Sequence, residues 1–233
     1  MSIFAISDLH LSLSTDKPMD VFGSKWDNYE ERMADSWNKV VTDDDLVIIP
    51  GDISWAMYLN DAKKDFEYIN NLKGQKLLLR GNHDYWWTTL SKMEAFIKEN
   101  NFSTLHFVKN TAFLWEDTAI CGTRGWTISH SAEPCEDKKI YDRERQRIVL
   151  SLEEARKLKT KEILVAMHFP PVEKDGVSDG FMDIFREYRV GECVFGHLHA
   201  DAHKNAPTGE KDGIKLRLVS CDYLNFTPVL IKK

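Results

Sequence analysis

The stretch Leu77-Leu-Leu-Arg-Gly-Asn-His-Asp84 indicates the class of fold, because an apolar run changes abruptly into a turn glycine and three polar side chains. The same change follows four further runs rich in Ile, Val and Leu. The polar groups after those runs are Asp8-Leu-His10, Gly51-Asp52, His168 and Gly196-His-Leu-His199. Short apolar runs bounded by turn residues are typical of buried strands. Ligands of layered α/β proteins collect at the carboxyl ends of strands, so we expect these polar side chains to converge.

Segments of helical periodicity lie between the apolar runs. Apolar residues repeat every three or four positions in residues 26–40, 62–72, 90–97 and 142–158, which predicts four helices. Strands that alternate with helices indicate an α/β fold. Residues 111–128 and 214–231 alternate or are β-branched, which predicts some antiparallel strands. No repeat and no Pro/Gly/Ser-rich linker divides the sequence, so we expect a single domain over residues 1–233.

The composition is that of an ordinary soluble protein and argues against several classes. Hydrophobic residues make up 42% and charged residues 29%, with a formal net charge of -6. That charge disfavours a protein that holds long nucleic acid by electrostatics alone. The sequence lacks a run of about 18 apolar residues, the length a membrane span needs, and its first residues lack the basic region of a signal peptide. The cysteines are widely spaced, so we expect reduced thiols in a cytoplasmic protein.

Taken singly, most of the strand-end groups have an ordinary structural explanation. An Asp-x-His pair is commonly a capping Asp beside a surface His, and Gly-Asp is commonly a turn. His168 alone is typical of a satisfied core histidine, whereas His197 and His199 would share one face of an extended segment. Their combination at five strand ends predicts a metal site. The predicted ligands are Asp8, His10, Asp52, Asn82, His168, His197 and His199.

The ordered set D-x-H, G-D, G-N-H-D, a single His and G-H-x-H resembles the calcineurin-like metallophosphoesterases. All five blocks are present without a substitution, from Asp8 to His199. The run Cys121-Gly-Thr-Arg-Gly-Trp126 resembles a bacterial branch of predicted phosphohydrolases. The resemblance implies an α/β, four-layer αββα sandwich of mixed β-sheets with the site at one edge. It also implies a hydrolase that cleaves a phosphomonoester or phosphodiester.

The resemblance further implies how the ligands are shared between two metal ions. One ion would take Asp8, His10, Asp52 and His199, and the other would take Asn82, His168, His197 and the shared Asp52. Mixed carboxylate, amide and imidazole ligands suit Mn, Fe or Zn better than Ca or Mg. Two such ions can activate a bridging hydroxide for attack on phosphorus at neutral pH.

Three further residues are candidates for roles besides metal binding. His83 is not needed as a ligand, so protonated it would stabilise charge or act as general acid for the leaving group. Asp84 would hold the His83 imidazole by a hydrogen bond, or cap a helix that begins at Tyr85. Arg124 is either a bidentate phosphate clamp or an arginine of a surface turn. The segment 11–25 and the polar segment 122–147, which is typical of a long loop, are candidates to cover the site.

Two other functions remain open at this point. A nuclease would act on nucleic acid, which the acidic composition disfavours, and a noncatalytic scaffold on the same fold would be expected to lack ligands that this sequence retains. We therefore expect a small phosphorylated substrate and no membrane partner. The oligomeric state and the identity of the substrate are left open.

Overall fold

Eleven strands and five α-helices form the fold within residues 1–127, 134–172 and 180–233, which are the residues that this computed structural model describes. The strands are β1 (Ile3–Ala5), β2 (Leu46–Pro50), β3 (Gln75–Leu79), β4 (Leu105–Phe107), β5 (Ala112–Trp115), β6 (Thr118–Thr123), β7 (Glu162–Met167), β8 (Glu192–Phe195), β9 (Gly209–Lys211), β10 (Ile214–Leu218) and β11 (Val229–Lys232). The helices are α1 (Tyr29–Val40), α2 (Lys63–Asn71), α3 (Leu90–Glu99), α4 (Pro134–Arg156) and α5 (Gly180–Glu187).

The strands belong to two mixed sheets. The first sheet has the order β11-β1-β2-β3-β4, and the second has the order β5-β6-β7-β8-β10-β9. Neighbours in the middle of each sheet are parallel. The edge strand β11 pairs antiparallel with β1, and β5 and β9 pair antiparallel with β6 and β10. The antiparallel strands predicted within residues 111–128 and 214–231 are therefore confirmed.

Alternation along the strands divides the core into three apolar layers. In β1, Ile3 and Ala5 face the second sheet and pack against residues such as Ile120 and Ala166. Phe4 lies on the opposite face of the same strand, among the helices of the first half of the chain, as expected for a two-residue period. Helices α4 and α5 cover the outer face of the second sheet. The order helix, sheet, sheet, helix confirms the αββα sandwich.

The segment 122–147 corrects the sequence analysis. Its first residues complete β6, residues 128–133 lie outside the described part of the chain, and residues from Pro134 onward belong to helix α4. The helix therefore begins eight residues before Asp142, its predicted start. Most of its first turns are exposed and polar, and one inward position is filled by the buried carboxylate of Glu144. A polar helix surface and a polar loop have the same composition, so the apolar period could not distinguish them.

Two smaller expectations can be compared with the structure. Three of the cysteines are buried free thiols, namely Cys121, Cys193 and Cys221. None of the described helices has both the length and the apolar character that would be needed to cross a bilayer.

Candidate metal centre

Strained loops follow the strands and bring the seven predicted ligands together. Asp8, His10 and Asp52 have φ values of 60°, 47° and 51°, and His197 has 71°. Residues other than glycine rarely occupy this left-handed region, and they persist there when the surrounding structure enforces it. A hydrogen bond from Asp8 N to Gly51 O (3.0 Å) and another from His10 N to Asp52 O (2.9 Å) join the first two loops.

The motif glycines are required by close packing around the carboxylates. A Cβ atom on Gly81 would lie 2.1 Å from Oδ1 of Asp52, and one on Gly196 would lie 2.3 Å from Oδ2 of Asp8. Both distances are far below van der Waals contact. The glycines therefore let the third and fifth loops approach the two aspartates, which explains their place beside the ligands in the sequence.

One group of donor atoms surrounds Nε2 of His199. Asp8 Oδ1 lies 3.3 Å from this nitrogen, and His10 Nε2 lies 3.4 Å from it. His10 Nε2 is in turn 3.8 Å from Asp52 Oδ2. Single ligand atoms of Asp8, His10 and His199 all lie within 4.8 Å of one another.

A second group surrounds Nε2 of His168. Asn82 Oδ1 lies 2.7 Å from this nitrogen, Asp52 Oδ2 lies 3.4 Å away, and His197 Nδ1 lies 3.2 Å away. His197 Nδ1 is 3.0 Å from Asn82 Oδ1. Asp52 Oδ2 is thus adjacent to both groups of donors.

These separations fit ligands of transition metals. Atoms bound about 2.1 Å from one tetrahedral or octahedral ion lie roughly 3.0–3.4 Å apart. Burial lowers the pKa of His10 to about 3, and burial together with the charge of His168 lowers that of His197 to about 3. Both imidazoles are therefore neutral at pH 7, which is the protonation state that binds metal.

Two groups of the centre retain protons that a cation would displace. Burial and the negative charge of Asp8 raise the pKa of Asp52 to about 7. Burial opposes protonation of His199, but its hydrogen bonds to Asp222 and Asp8 outweigh this and raise its pKa to about 10. A metal ion and a proton compete for the same lone pairs, so these residues link metal binding to pH.

Further hydrogen bonds fix the orientation of the ligands. His168 Nδ1 lies 3.1 Å from the carbonyl oxygen of Pro50, a natural acceptor for its proton. His199 Nδ1 lies 2.9 Å from Asp222 Oδ1. Each contact directs the Nε2 lone pair of the same ring toward the donor groups. Asp52 Oδ1 accepts from His83 N (2.8 Å), which leaves Oδ2 facing the centre.

Sequence reasoning missed Asp222, although a signal for it was present. The residue follows β10 and a short apolar extension, in the order Leu218-Val219-Ser220-Cys221-Asp222, so it also is an acid after a strand end. Ser7 and Ser220 form a parallel bridge that joins the first sheet to the second at this point. Asp222 also lies 3.2 Å from His203 Nε2, a histidine that matched no motif.

Asp84 has a different role from the two that were predicted. Its buried carboxylate accepts from the backbone N–H groups of Gly81, Asp52, Ile53 and Ser54, and from the Trp86 indole. Its hydrogen bonds do not reach the His83 ring, and the next helix, α3, begins at Leu90 with Thr89 as its N-cap. Asp84 therefore fixes the second and third loops to each other. Adjacency to His83 along the chain was misleading because the Asp84 carboxylate is engaged by the backbone N–H groups and by the Trp86 indole.

The His83 ring lies at the centre without joining the donor groups. Its centroid is 4.5 Å from the ring of Trp55 and 5.8 Å from that of His10. Burial and the neighbouring His168 lower its pKa. Its buried Nδ1 has no hydrogen-bond partner among the described residues. The ring is therefore placed beside the ligands with a nitrogen available for another group.

Aromatic rings form a wall beside the ligands. Trp55 stacks on His10 at 5.0 Å, and Phe169 lies 4.0 Å from the ring of His197. The segment 11–25 reaches this wall, because Lys17 Nζ lies 4.8 Å from the Trp55 ring and Met19 Sδ accepts from the Trp55 indole at 3.3 Å. This segment therefore borders the centre.

Arg124 lies next to the centre but outside the donor groups. Its guanidinium is 3.4 Å from Glu144 Oε1 and 4.7 Å from the ring of Trp126. Its carbonyl oxygen accepts hydrogen bonds from the backbone N–H groups of His168 (3.1 Å) and Phe169 (2.8 Å). The backbone of Arg124 is thus part of the frame of the centre, and its side chain lies in a neighbouring cleft.

Comparison with known proteins yields a family and two structural likenesses. The model of the family described as calcineurin-like phosphoesterase matches residues 1–201. An uncharacterised protein of Methanocaldococcus jannaschii, MJ1445, is 34% identical over 85 residues, which are 35% of this chain and 46% of that protein. The match therefore spans about half the length of that relative.

The solved structures show a shared fold. A protein of unknown function from Aquifex aeolicus, AQ665, has a TM-score of 0.51 at 14% identity, covering 98% of this chain and 95% of its own. The protein TT1561 of Thermus thermophilus has a TM-score of 0.59 at 13% identity, covering 99% and 97%. At this identity the likeness concerns the fold alone. The family match covers most of the sequence and all the strand-end motifs, and on it the chain belongs to the calcineurin-like phosphoesterases, a metal-dependent family.

Proposed function

We propose that the chain hydrolyses a small phosphate monoester or diester at a centre of two metal ions. The observation that carries the proposal is the position of Asp52 Oδ2. This atom lies 3.8 Å from His10 Nε2 and 3.4 Å from His168 Nε2. The atom therefore lies next to both donor groups, as expected of a carboxylate that two ions share.

The donor set indicates which ions fit. Asp8, His10 and His199 would hold one ion together with Asp52, and Asn82, His168 and His197 would hold the other together with Asp52. Four imidazoles beside three oxygen donors suit Mn, Fe or Zn. When bound, such ions supply Lewis acidity toward phosphoryl oxygens and a hydroxide nucleophile at neutral pH.

The remaining chemistry falls to residues of the chain itself. Hydrolysis adds water to phosphorus and breaks the bond to the alcohol, which must receive a proton. His83 in its protonated form is the candidate for this step, because its ring borders the donors and its Nδ1 is buried without a partner among the described residues. Its lowered pKa makes the protonated ring a stronger acid than a free imidazolium. Trp55 and Phe169 pack on ligand rings and limit access of bulk water.

Metal analysis combined with activity on a panel of monoesters and diesters tests the proposal. We expect about two transition-metal ions per chain in the wild type. Asp52→Asn should lower the metal content and reduce turnover by at least about a thousandfold, because it weakens both sites at once. Asp35→Asn, which removes the same charge from an exposed position of α1, is the matched control. Hydrolysis that survives Asp52→Asn, or a chain that binds no transition metal, would refute the dinuclear centre.

A further inference from the structure

A cleft of about 300 Å³ lies beside the metal centre. It is lined by residues from the end of β3, the segment before α3, the loop after β4, the end of β6 and helix α4. None of the seven predicted ligands lines it. The volume is at the lower end of the range for small-molecule sites, so it suits one compact group and not a polymer.

The lining of this cleft is strongly cationic. Four of its side chains are positively charged and one is a carboxylate, namely Arg80, Lys109, Arg124 and Arg147 against Glu144. Glu144 is already engaged, because it accepts from Thr123 Oγ1 (2.5 Å) and Arg147 Nη1 (2.6 Å) and lies 3.4 Å from Arg124 Nη2. The Glu144 carboxylate is therefore not available to neutralise Arg80 and Lys109.

Two of the cations have unused hydrogen-bonding capacity. Arg80 has no ion pair among the described residues, and the buried Nε atoms of Arg80 and Arg124 have no hydrogen-bond partner there. Burial and the positive charges of Arg147 and Arg80 lower the pKa of Lys109. Partly buried cations that repel one another cost free energy unless a counter-charge is present.

The position of the cleft connects it to the centre. Arg80 precedes Asn82 by two residues, so their backbones are at most about 7 Å apart. The carbonyl oxygen of Arg124 accepts a hydrogen bond of 3.1 Å from the backbone of His168. The segment of Arg80 thus carries a ligand toward the metals and a guanidinium group toward the cleft, and the segment of Arg124 is hydrogen-bonded to the backbone of a ligand.

We propose that this cleft binds a second anionic group, a phosphate or carboxylate, of the ester that is hydrolysed at the metal centre. The inference rests on the proposed function. Guanidinium groups match both oxyanions with paired hydrogen bonds. Unpaired Nε atoms on Arg80 and Arg124 are the donors that such a group would take. The preferred substrate is therefore a small molecule that carries an anionic group besides the scissile phosphate.

A pair of esters tests this preference. Glucose 1,6-bisphosphate and glucose 1-phosphate differ only in the second phosphate, and the ratio of their kcat/KM values isolates it. Arg80→Gln and Lys109→Gln should each lower this ratio roughly tenfold, mainly through KM for the bisphosphate. Lys98→Gln removes an exposed lysine of α3 that does not line the cleft, and should leave the ratio unchanged. An unchanged ratio in both cleft variants overturns the proposal.

A direct measurement separates this inference from the proposed function. Crystals of the metal-loaded protein grown with selenate should show anomalous selenium density beside Arg80 and Arg124, and crystals of the two cleft variants should lose it. Absence of this density in the wild type overturns the anion site, even if both esters are hydrolysed. If the wild type hydrolyses no ester of the monoester and diester panel, the proposed function fails, and selenate alone decides whether the cleft binds anions.

Discussion

The metal centre and the cationic cleft border each other, but they are built in different ways. The centre uses short side chains on loops whose backbone is held in unusual conformations, as at Asp8 and Asp52. The cleft uses long, flexible side chains from a strand end, a loop and a helix. Ligand positions in the centre are therefore set by the backbone, whereas those in the cleft are set by side-chain reach. Substitutions should have larger effects in the centre than in the cleft.

The two regions also have opposite electrostatic character. Lone pairs from seven side chains converge in the centre, and N–H donors with positive charge converge in the cleft. The centre therefore favours a cation, and the cleft favours an anion. A phosphorylated ligand would be held between them. Substitutions around the centre and changes of pH test this contrast.

Among residues that are not metal ligands, His83 should have the largest effect, through its chemical role. His83→Ala should lower kcat by about 10²–10⁴-fold, the usual contribution of a positioned acid. Metal content should be unchanged, because the ring lies outside the donor groups. Steady-state kinetics and metal analysis measure both quantities. His106→Ala is the control, since Nε2 of this ring lies at hydrogen-bond distance, 2.8 Å, from Oε1 of Gln75 on the first sheet. Wild-type turnover in His83→Ala would show that the centre works without this histidine.

Asp84 tests whether backbone anchoring governs the centre. Asp84→Ala leaves buried N–H donors of Gly81, Asp52 and Ile53 without their acceptor, so the free energy of unfolding should fall by at least about 3 kcal/mol. Urea denaturation of the metal-free chain gives this value. Asp84→Asn keeps one acceptor oxygen, so its free energy of unfolding should fall by less. A loss below about 1 kcal/mol for Asp84→Ala would mean that the loops hold their conformation without it.

Asp222 tests whether ligand orientation adds to backbone anchoring. Asp222→Ala removes the acceptor of His199 Nδ1, so metal affinity should fall about 10–100-fold. Titration against a chelator of known affinity measures it. Asp201→Ala is the matched control, because Asp201 is exposed and pairs only with Lys204 among the described residues (2.7 Å). Equal metal affinities in the two variants would show that Asp222 does not contribute to metal binding.

The pH dependence of binding should differ between the two regions. The raised pKa values of Asp52, about 7, and His199, about 10, mean that metal binding must release protons. Metal affinity should therefore rise at least about tenfold from pH 6 to pH 8, as protons become easier to displace. Arginine stays charged over this range, so selenate binding to the cleft should change little. A metal affinity that does not change with pH would contradict the raised pKa values of Asp52 and His199.

Much of the centre could be predicted from the sequence because its signals are local. Each motif follows an apolar strand directly, and Gly81 and Gly196 are adjacent to the residues that they allow to approach. The α/β class followed from the same strands and from the helical periods between them, whereas the four-layer sandwich was implied by the family resemblance. Asp222 carried the same kind of signal, an acid after a strand, but it lacked the repeated pattern that made the others visible.

The role of Asp84 and the existence of the cleft could not be predicted in this way. The His83–Asp84 pair is adjacent along the chain, yet the side chains have different surroundings, which only the folded loops determine. Arg80, Lys109 and Arg147 are far apart in sequence, and each alone is an ordinary surface-type residue. Glu144 and Arg147 belong to a polar segment whose composition is also that of a loop. Their meeting depends on how α4 packs over the second sheet.

The antiparallel pairing of β11 with β1 has a consequence for how the protein is assembled. The strand that leads to Asp8 lies between β2 and β11, so residues 229–232 must be present before both edges of β1 are paired. Asp222, which orients His199, likewise lies late in the sequence. During synthesis on the ribosome, β1 therefore emerges long before the strand that completes its pairing. Contacts of such long sequence separation form slowly, so the strand that leads to Asp8 should complete its pairing late in folding.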